Sequence, residues 1–217
     1  MRFTEIDFES WERREYFEMF RNSTVYMTVE LDVTEFSAKV KQAGLRLYPC
    51  LIYCVAEVIN ENEDFRYAFD GNGQLGLWDR LNPFYTVKRK DNPQLFSMKY
   101  TEFFGEFREF YRSFEEDRLV AENCARVLCD ESLPANIFGI SAVPGIHFSA
   151  FSFGGTKEDL IPFVLLGKVE EKDGRRIMPV TGEFSHAVND GFHIKLFFSQ
   201  LEEKMRNLLS ENVFSLK

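Results

Sequence analysis

Apolar and polar positions alternate along several stretches of the chain, which is typical of half-buried β-strands. This alternation is clear in TVYMTVELDV and again in three short runs around Gly71–Gly73, where turn residues predict hairpins. It returns throughout the last third of the chain, where KDGRR predicts a tight turn between two strands. The predicted strands of this last third are FGISAVP, IHFSAFSF, IPFVLLGKVEE and IMPVTGEFSHAV.

Helical spacing of apolar residues predicts the remaining elements. The first helix is expected to begin after Ser10 as its N-cap and to cover residues 11–20, and the next to have Thr34 as its cap and to end near Gly44. YPCLIYCVAEVINEN follows as a third helix, with Pro49 in its first turn. Two further helical stripes are assigned to the core: Phe103, Phe107, Phe110 and Phe114, and then Ile194, Phe197, Phe198, Leu201, Met205 and Leu208.

Strands and helices are therefore mixed, and the second half of the chain is rich in strands. We find no fixed-period repeat and no low-complexity linker, which favours one continuous domain over residues 1–217. The fold class predicted from this pattern is a layered α/β domain.

Composition narrows the possible partners. A net charge of −9 argues against broad binding to nucleic acid or to anionic membranes, because both need basic surface. The four cysteines form no C-x-x-C pair and only three histidines are present, so no structural metal is expected. No signal-peptide core or membrane-spanning run is apparent, and a cytoplasmic protein is the expectation.

The candidate chemistry lies in FSHAVNDGFH, where His186 ends a predicted strand and Asp190 precedes the last helix. His186 is either a general base, or a polar residue that bonds a backbone carbonyl at the end of a core strand. Asp190 either caps the helix or pairs with a cation. Arg13 shares an apolar helix face with Phe17 and Phe20, so it either meets a carboxylate such as Asp190 or extends to solvent.

No other catalytic constellation competes with this one. The chain has no G-x-S-x-G, no P-loop and no G-x-G-x-x-G motif. His147 is interpreted as a satisfied core or rim histidine, and His193 as a packing or capping residue of the last helix.

The order of several segments resembles the chloramphenicol acetyltransferase family. SHAVNDGFH is similar to that family's H-H-x-x-x-D-G motif, and the resemblance extends over essentially the whole chain. It implies a two-layer sandwich in which helices cover a mixed sheet, assembled as a homotrimer with active sites between subunits. It also implies acetyl transfer from acetyl-CoA to an acceptor hydroxyl by direct attack. The other similar segments are SWERREYFEMF, LRLYPCLIYCVAEVIN, FRYAFDGNGQLGLWDRLNPFYTV and ISAVP.

The resemblance assigns roles to individual residues. His186 matches the catalytic base, Asp190 the acid of the motif and Arg13 the arginine that pairs with it. The first histidine of the family's pair, which is not the base, is Ser185 here.

Four further positions match residues that contact the two substrates. Arg46 and Tyr48 match positions lining the coenzyme A channel, where arginine in place of the usual lysine preserves a phosphate-binding cation. Lys168 matches another coenzyme A contact, and Phe96 matches an aromatic wall of the acceptor site.

The chain also departs from the family's pattern. The oxyanion-stabilising serine falls on Ala150, with Ser149 beside it, and the threonine that helps hold a water near the transition state falls on Leu165. Losing one oxyanion donor costs roughly 10²–10³ in turnover. Val169 replaces an aromatic residue beside Lys168, and the segment RNSTVYMTVELDV is a few residues shorter than its counterpart.

Three hypotheses follow. The leading one is acetyl transfer to chloramphenicol, with His186 as general base. A second keeps coenzyme A and the trimer but places a different alcohol or amine in the acceptor site, which the departures at Ala150 and Leu165 favour. A third is a trimeric binding protein that has lost turnover. The acyltransferase core of 2-oxo acid dehydrogenase complexes ranks lowest, because the sequence has no lipoyl domain and no Ala/Pro linker.

Overall fold

The computed structural model describes residues 1–154 and 159–210, which form ten strands and five α-helices. The strands are β1 Phe3–Glu5, β2 Thr24–Asp32, β3 Tyr67–Phe69, β4 Leu75–Trp78, β5 Asn82–Lys88, β6 Phe96–Tyr100, β7 Ile137–Ala142, β8 Phe163–Leu166, β9 Glu170–Lys172 and β10 Arg175–Ser185. The helices are α1 Arg14–Phe20, α2 Thr34–Gln42, α3 Leu47–Glu61, α4 Phe107–Glu122 and α5 Gly191–Ser210, and a 3₁₀ turn spans Glu63–Phe65.

A mixed sheet with the strand order β2-β10-β8-β7-β5-β6 forms the centre of the fold, and β9 pairs with one end of β10. The β5–β7 and β7–β8 pairs are parallel and the other pairs are antiparallel. A smaller antiparallel sheet has the order β1-β4-β3. The layered α/β domain that the residue pattern predicts is therefore confirmed, and the mixed sheet is the one that the family resemblance implies.

One face of the main sheet packs against the helices and forms the hydrophobic core with them. The strand register aligns Val29, Val180 and Leu166 on this face, and all three pack in the same cluster as α2, α3, α4 and α5. Aromatic rings fill its centre, where Phe197 of α5 lies 5.4 Å from Phe184 of β10 and 5.6 Å from Phe65. Phe107, Phe110 and Phe114 of α4 and the inner face of α5 are buried, as predicted, whereas Phe103 is buried but precedes the helix to which the pattern assigned it.

The opposite face of the sheet carries a row of small polar side chains. The hydroxyl groups of Thr28 and Thr181 are 2.7 Å apart, and those of Thr86 and Ser141 are 2.9 Å apart. The register places Leu165 of β8 between these two pairs, next to Thr181 on one side and Ser141 on the other. The two faces of the sheet therefore differ sharply in polarity.

The prediction that IHFSAFSF forms a strand is wrong, because residues 146–153 have no regular structure. Strands β7 and β8 pair with each other, and their outer sides pair with β5 and β10, so the neighbouring strands offer no free edge. The segment instead packs by its aromatic rings against the polar face of the sheet. Phe153 lies 5.0 Å from Phe163 of β8, and its carbonyl accepts a hydrogen bond from the Tyr26 hydroxyl.

The start of the first helix also differs from the prediction, since α1 begins at Arg14 and Arg13 occupies its N-cap position. Ser10 does not cap the helix: no side-chain oxygen accepts from its first N–H groups, and the Ser10 hydroxyl donates to the carboxylate of Asp7 at 2.8 Å. The shift of three residues brings Arg13 to the tip of the helix.

Two structural features are absent from the described residues, 1–154 and 159–210. None of the helices there is both long enough and apolar enough to cross a lipid bilayer. The same ranges contain no group of three or more histidine, cysteine, aspartate or glutamate side chains that could hold a metal ion.

Candidate active site

His186 follows directly after β10 and is held by contacts with the start of β2 and with α1. Its backbone N–H donates to the Ser23 carbonyl at 2.8 Å. Its ring stacks on Phe20 of α1, with the ring centroids 4.2 Å apart and the planes 15° from parallel. The Nδ1 atom is buried and has no hydrogen-bond partner among the described residues. Stacking on Phe20 therefore fixes the plane of the imidazole, but no hydrogen bond within the described residues fixes its tautomer.

Arg13 and Asp190 meet as the sequence predicted they could. The Arg13 guanidinium lies 3.4 Å from the Asp190 carboxylate, and its side chain is only 14% exposed. The Phe17 N–H donates to the Arg13 carbonyl, so the arginine is part of the first turn of α1. The ion pair therefore connects the tip of α1 to the loop that follows β10.

Asp190 also caps α5, because the N–H of Phe192 donates to its Oδ1 at 3.0 Å. Burial opposes ionisation of Asp190. The bonds from the Phe192 N–H, from His193 and from Arg13 nevertheless hold its pKa below the ordinary value. Asp190 thus serves both interpretations that the sequence left open, helix cap and partner of a cation. No hydrogen bond between Asp190 and His186 occurs in the part of the chain that the structure describes.

His193 and Asp64 extend this cluster, and Asp64 was not predicted from the sequence. His193 Nδ1 lies 2.9 Å from Asp190 Oδ1, and its Nε2 lies 3.5 Å from Asp64 Oδ1. The pKa of His193 is raised, because its bond with Asp64 outweighs the opposing effect of burial. The bond with His193 lowers the pKa of Asp64. No sequence spacing connects Asp64 to the last helix, so no sequence signal could have found it.

Arg46 and Tyr48 lie at the start of α3. The Arg46 side chain is 60% exposed and its Nε is 3.5 Å from Glu115. Its backbone N–H donates to the Tyr111 hydroxyl. The Tyr48 hydroxyl donates to the Ile140 carbonyl of β7 at 3.4 Å, and burial raises its pKa.

Lys168 and Phe96 lie at the ends of strands of the main sheet. Lys168 follows β8, and its Nζ donates to Glu170 at 2.8 Å. Phe96 starts β6 and is 48% exposed. It pairs with Lys88 at the end of β5.

The strand directions sort the predicted residues into two groups, one at each edge of the sheet. Strands β5, β7 and β8 run parallel, so Phe96 and Lys168 lie at their carboxyl edge, while Tyr48 at the start of α3 hydrogen-bonds to Ile140 in the middle of β7. Strand β10 runs the other way and delivers His186 to the opposite edge. We call these groups the coenzyme edge, which comprises Arg46, Tyr48, Phe96 and Lys168, and the histidine edge, which comprises Arg13, His186 and Asp190.

The two edges are far apart within one chain. The Gly167 N–H donates to the Pro179 carbonyl, which places Lys168 level with Met178. The extended chain from Met178 to His186 spans about 26 Å at 3.3 Å per residue. Phe96 also lies four strands away from β10, which adds a lateral separation of about 19 Å. One chain therefore does not bring its coenzyme edge to its own His186.

Comparison with known proteins identifies the family. A model of the family described as chloramphenicol acetyltransferase matches residues 1–202. A chloramphenicol acetyltransferase of Clostridium perfringens is 37% identical over 95% of this chain and 96% of its own length. One of Staphylococcus aureus is 35% identical over 94% of this chain and 96% of its own. The chain belongs to the chloramphenicol acetyltransferase family.

Solved structures agree with this assignment. A chloramphenicol acetyltransferase of 25% identity superimposes with a TM-score of 0.80 and covers 94% of this chain and 100% of its own. The dihydrolipoamide acetyltransferase of Azotobacter vinelandii, at 18% identity, gives a TM-score of 0.67 over 89% of this chain and 86% of its own and shares the fold. The fold class expected from the resemblance, a mixed sheet covered by helices, is confirmed.

Two positions where the sequence departs from the chloramphenicol acetyltransferase pattern have different surroundings. Leu165 is buried, between the hydroxyl-bearing residues Thr181 and Ser141 of the neighbouring strands. Ala150 and Ser149 are exposed in the irregular segment 146–153. The rule that successive strand residues face opposite sides does not apply there, so the orientation of Ser149 is not fixed by strand geometry.

A cavity of about 840 Å³ opens on the polar face of the sheet. This size suits a small-molecule site. None of the residues that the chloramphenicol acetyltransferase resemblance assigned to the site lines it. Its walls include Tyr26, Phe84, Met98, Phe153, Phe163 and Glu183.

Proposed function

We propose that this chain transfers an acetyl group from acetyl-CoA to a hydroxyl of chloramphenicol, with His186 as the general base. The observation that carries the proposal is the fixed imidazole of His186. Its ring is stacked on Phe20, and α1 is joined to the adjacent loop by the Arg13–Asp190 ion pair. A histidine with a fixed ring, in a member of this family, has the geometry that a base for a hydroxyl acceptor needs.

The chemistry assigned to His186 is a proton relay. His186 removes the proton from the acceptor hydroxyl while the oxygen attacks the acetyl carbonyl. The carbon–sulfur bond then breaks, and His186 returns the proton to the departing thiolate, so that protons and electrons balance. Asp190 and Arg13 do not take part in proton transfer in this scheme; they hold the loop and α1 in place.

Arg46, Tyr48 and Lys168 are proposed to hold coenzyme A. Arg46 and Lys168 present exposed cations at the coenzyme edge, where phosphate groups can reach them. Their present partners, Glu115 and Glu170, form partly exposed ion pairs, which contribute about 0–1 kcal/mol and are easily exchanged for phosphate. Phe96 is proposed as a wall of the acceptor site.

We further propose that the enzyme is a homotrimer whose active sites lie between subunits. The separation of the coenzyme edge from the histidine edge supports this arrangement, because His186 of one copy can then serve the coenzyme edge of the next. A cyclic trimer repeats the same contact three times and closes, which gives three equivalent sites.

A cytoplasmic location belongs to the same proposal. Cys50, Cys54, Cys124 and Cys129 are free thiols, as is usual in a reducing compartment.

The test measures the release of coenzyme A thiol from acetyl-CoA in the presence of chloramphenicol. We expect chloramphenicol-dependent release by the wild-type enzyme, and a loss of about 10²–10⁴-fold in kcat for His186→Ala. Calorimetry of coenzyme A binding and the melting temperature of His186→Ala control for loss of the fold. Turnover that survives the substitution, or a wild-type enzyme that ignores chloramphenicol, would contradict the proposal.

A second candidate is the same reaction on a different alcohol or amine. The buried Leu165 favours this second candidate. Its apolar side chain lies between two hydroxyl-bearing residues, at a position where the family resemblance predicts threonine. A panel of alcohols and amines, assayed under the same conditions as chloramphenicol, distinguishes the two. Product from another acceptor, with none from chloramphenicol, selects this candidate.

A further inference from the structure

We propose that Asp64 and His193 are positioning residues for His186, acting through an unbroken chain of four charged side chains. The chain runs from Asp64 to His193, to Asp190 and to Arg13, with His193 as a cation between two carboxylates. The proposal rests on the catalytic role of His186 argued above. It adds two residues to which the family resemblance assigned no part in catalysis.

Asp64, at one end of this series of charged side chains, is anchored in the hydrophobic core. Asp64 lies in the 3₁₀ turn Glu63–Phe65, and the side chain of Phe65 is fully buried. Asn189, in the loop after β10, donates from its side chain to the Asp64 carbonyl at 2.8 Å. Asp64 is therefore joined by its backbone to the loop after β10, and by its carboxylate to His193 in the first turn of α5. Because Phe65 fixes this turn in the core, the turn can hold the loop after β10 in place.

The charge of His193 follows from its two partners. Its side chain is 7% exposed, and each ring nitrogen faces a carboxylate, so only the imidazolium can donate to Asp190 and Asp64 together. The Asp190 N–H lies 3.2 Å from the same Nδ1, a contact that only the neutral ring can accept. Loss of the proton therefore exchanges a bond to the carboxylate for a bond from the backbone.

The other ionisable groups around His193 also favour its protonated, charged state. Arg13 interacts with the Asp64 and Asp190 carboxylates and helps keep both ionised. Tyr67 of β3 lies near Asp64, and burial raises its pKa, so it stays neutral. The raised pKa of His193 means that its stabilising contribution is complete below about pH 6.5 and is lost as the pH rises through the raised value. The lowered pKa of Asp64 means that its contribution is complete above about pH 4 and is lost at lower pH.

Arg13, at the other end of the series of charged side chains, is connected to the His186 ring through α1. Asp190 holds Arg13 at the tip of this helix, and Phe20, at the other end of the same helix, stacks on His186. When His193 loses its charge, Asp190 loses a partner and the tip of α1 is less firmly held. The expected result is a displaced His186 ring, and displacements of about 1 Å cost up to about 100-fold in rate.

The experiment compares Asp64→Asn, Asp64→Glu and His193→Gln with a matched control, Glu63→Gln. Glu63 is an exposed carboxylate in the same 3₁₀ turn, and it makes no contact with His193. We expect Asp64→Asn and His193→Gln to lower kcat about ten- to a hundredfold, with the KM for acetyl-CoA unchanged. Asp64→Glu restores the charge and is expected to recover most of the loss. The control is expected to match the wild type, and melting temperatures separate these effects from unfolding.

A second measurement follows His193 itself, by titration of its imidazole resonances in the nuclear magnetic resonance spectrum. The chain has three histidines, so His193→Gln assigns the signal. We expect the wild-type pKa to lie above the ordinary value and to fall in Asp64→Asn, with the alkaline decline in kcat moving to lower pH by the same amount.

The outcomes separate the two proposals. An ordinary His193 titration, or equal kcat values for Asp64→Asn and Glu63→Gln, overturns the charged chain. A His193 that titrates high in an enzyme without chloramphenicol turnover overturns the proposed acceptor and supports the charged chain.

Discussion

At the scale of single residues, the four cysteines occupy two environments. Cys50 and Cys54 lie on the buried side of α3, where burial raises the pKa of Cys50 to about 12 and that of Cys54 well above the ordinary value. Cys124 and Cys129 are partly exposed after α4. Burial opposes ionisation of Cys124, but the hydrogen bond from the Cys129 thiol lowers its pKa overall. Burial, together with the Cys124 charge, raises the pKa of Cys129 to about 12.

Iodoacetamide should therefore modify Cys124 first in the folded protein at pH 8, because the thiolate is the reactive form. Cys50 and Cys54 should react only after denaturation. Mass spectrometry of proteolytic peptides taken over the time course checks both expectations. The Cys124→Ser variant supplies the control, since it should lose the fast phase of labelling. Equal labelling rates for Cys54 and Cys124 in the native protein would contradict this assignment.

Some of the candidate site could be predicted residue by residue. Arg13 needed a carboxylate because its helix face was apolar, and Asp190 was the acid that the motif offered. His193 was interpreted as a packing or capping residue of the last helix, and its partner Asp64 was not predicted. Local spacing predicts contacts along one helix, whereas the meeting of a 3₁₀ turn with the last helix depends on how distant elements pack.

At the scale of elements, periodicity predicted the strands with long ladders and both aromatic helix faces. It failed for residues 146–153, where Ile146 and Phe148 follow a strand pattern that Phe151 then breaks. A strand also needs a free neighbouring edge, and whether one exists depends on the order of all the other strands. The beginning of α1 was also misplaced, since the helix starts at Arg14 without a side-chain cap and the hydroxyl of Ser10 donates to Asp7 instead of accepting from the helix backbone.

The turn between β9 and β10 has a backbone that the sequence did predict. Asp173 and Gly174 have φ angles of 53° and 75°, as expected for a two-residue hairpin turn. The Gly174→Ala variant should lose about 1–2 kcal/mol, because a Cβ is unfavourable at this φ, and the melting temperature should fall by several degrees. Gly71→Ala is the matched control. Gly71 is exposed, its φ is not left-handed and a Cβ there meets nothing within 4 Å, so its melting temperature should be unchanged or slightly higher. Equal melting temperatures would refute the argument.

At the scale of the whole molecule, strand order decides which residues can act together. The coenzyme edge and the histidine edge are both built from one chain, yet the antiparallel pairing of β8 with β10 directs them to opposite sides of the sheet. The periodicity of single strands carries no information on their order. The sequence could therefore suggest the members of the site through resemblance, but not their distribution between the two edges.

If each active site combines the histidine edge of one subunit with the coenzyme edge of the next, two inactive variants should complement each other. Mixed trimers of His186→Ala with the Arg46→Ala, Lys168→Ala double variant, isolated through two affinity tags, should contain one intact site each. Their activity should be about a third of the wild-type value, because a cyclic trimer has three equivalent interfaces. Mixed trimers of His186→Ala with Arg13→Ala carry both changes at the histidine edge, so they should gain no intact site. If the two edges served the same site within one chain, neither mixture would recover activity, and light scattering would show whether a trimer forms at all.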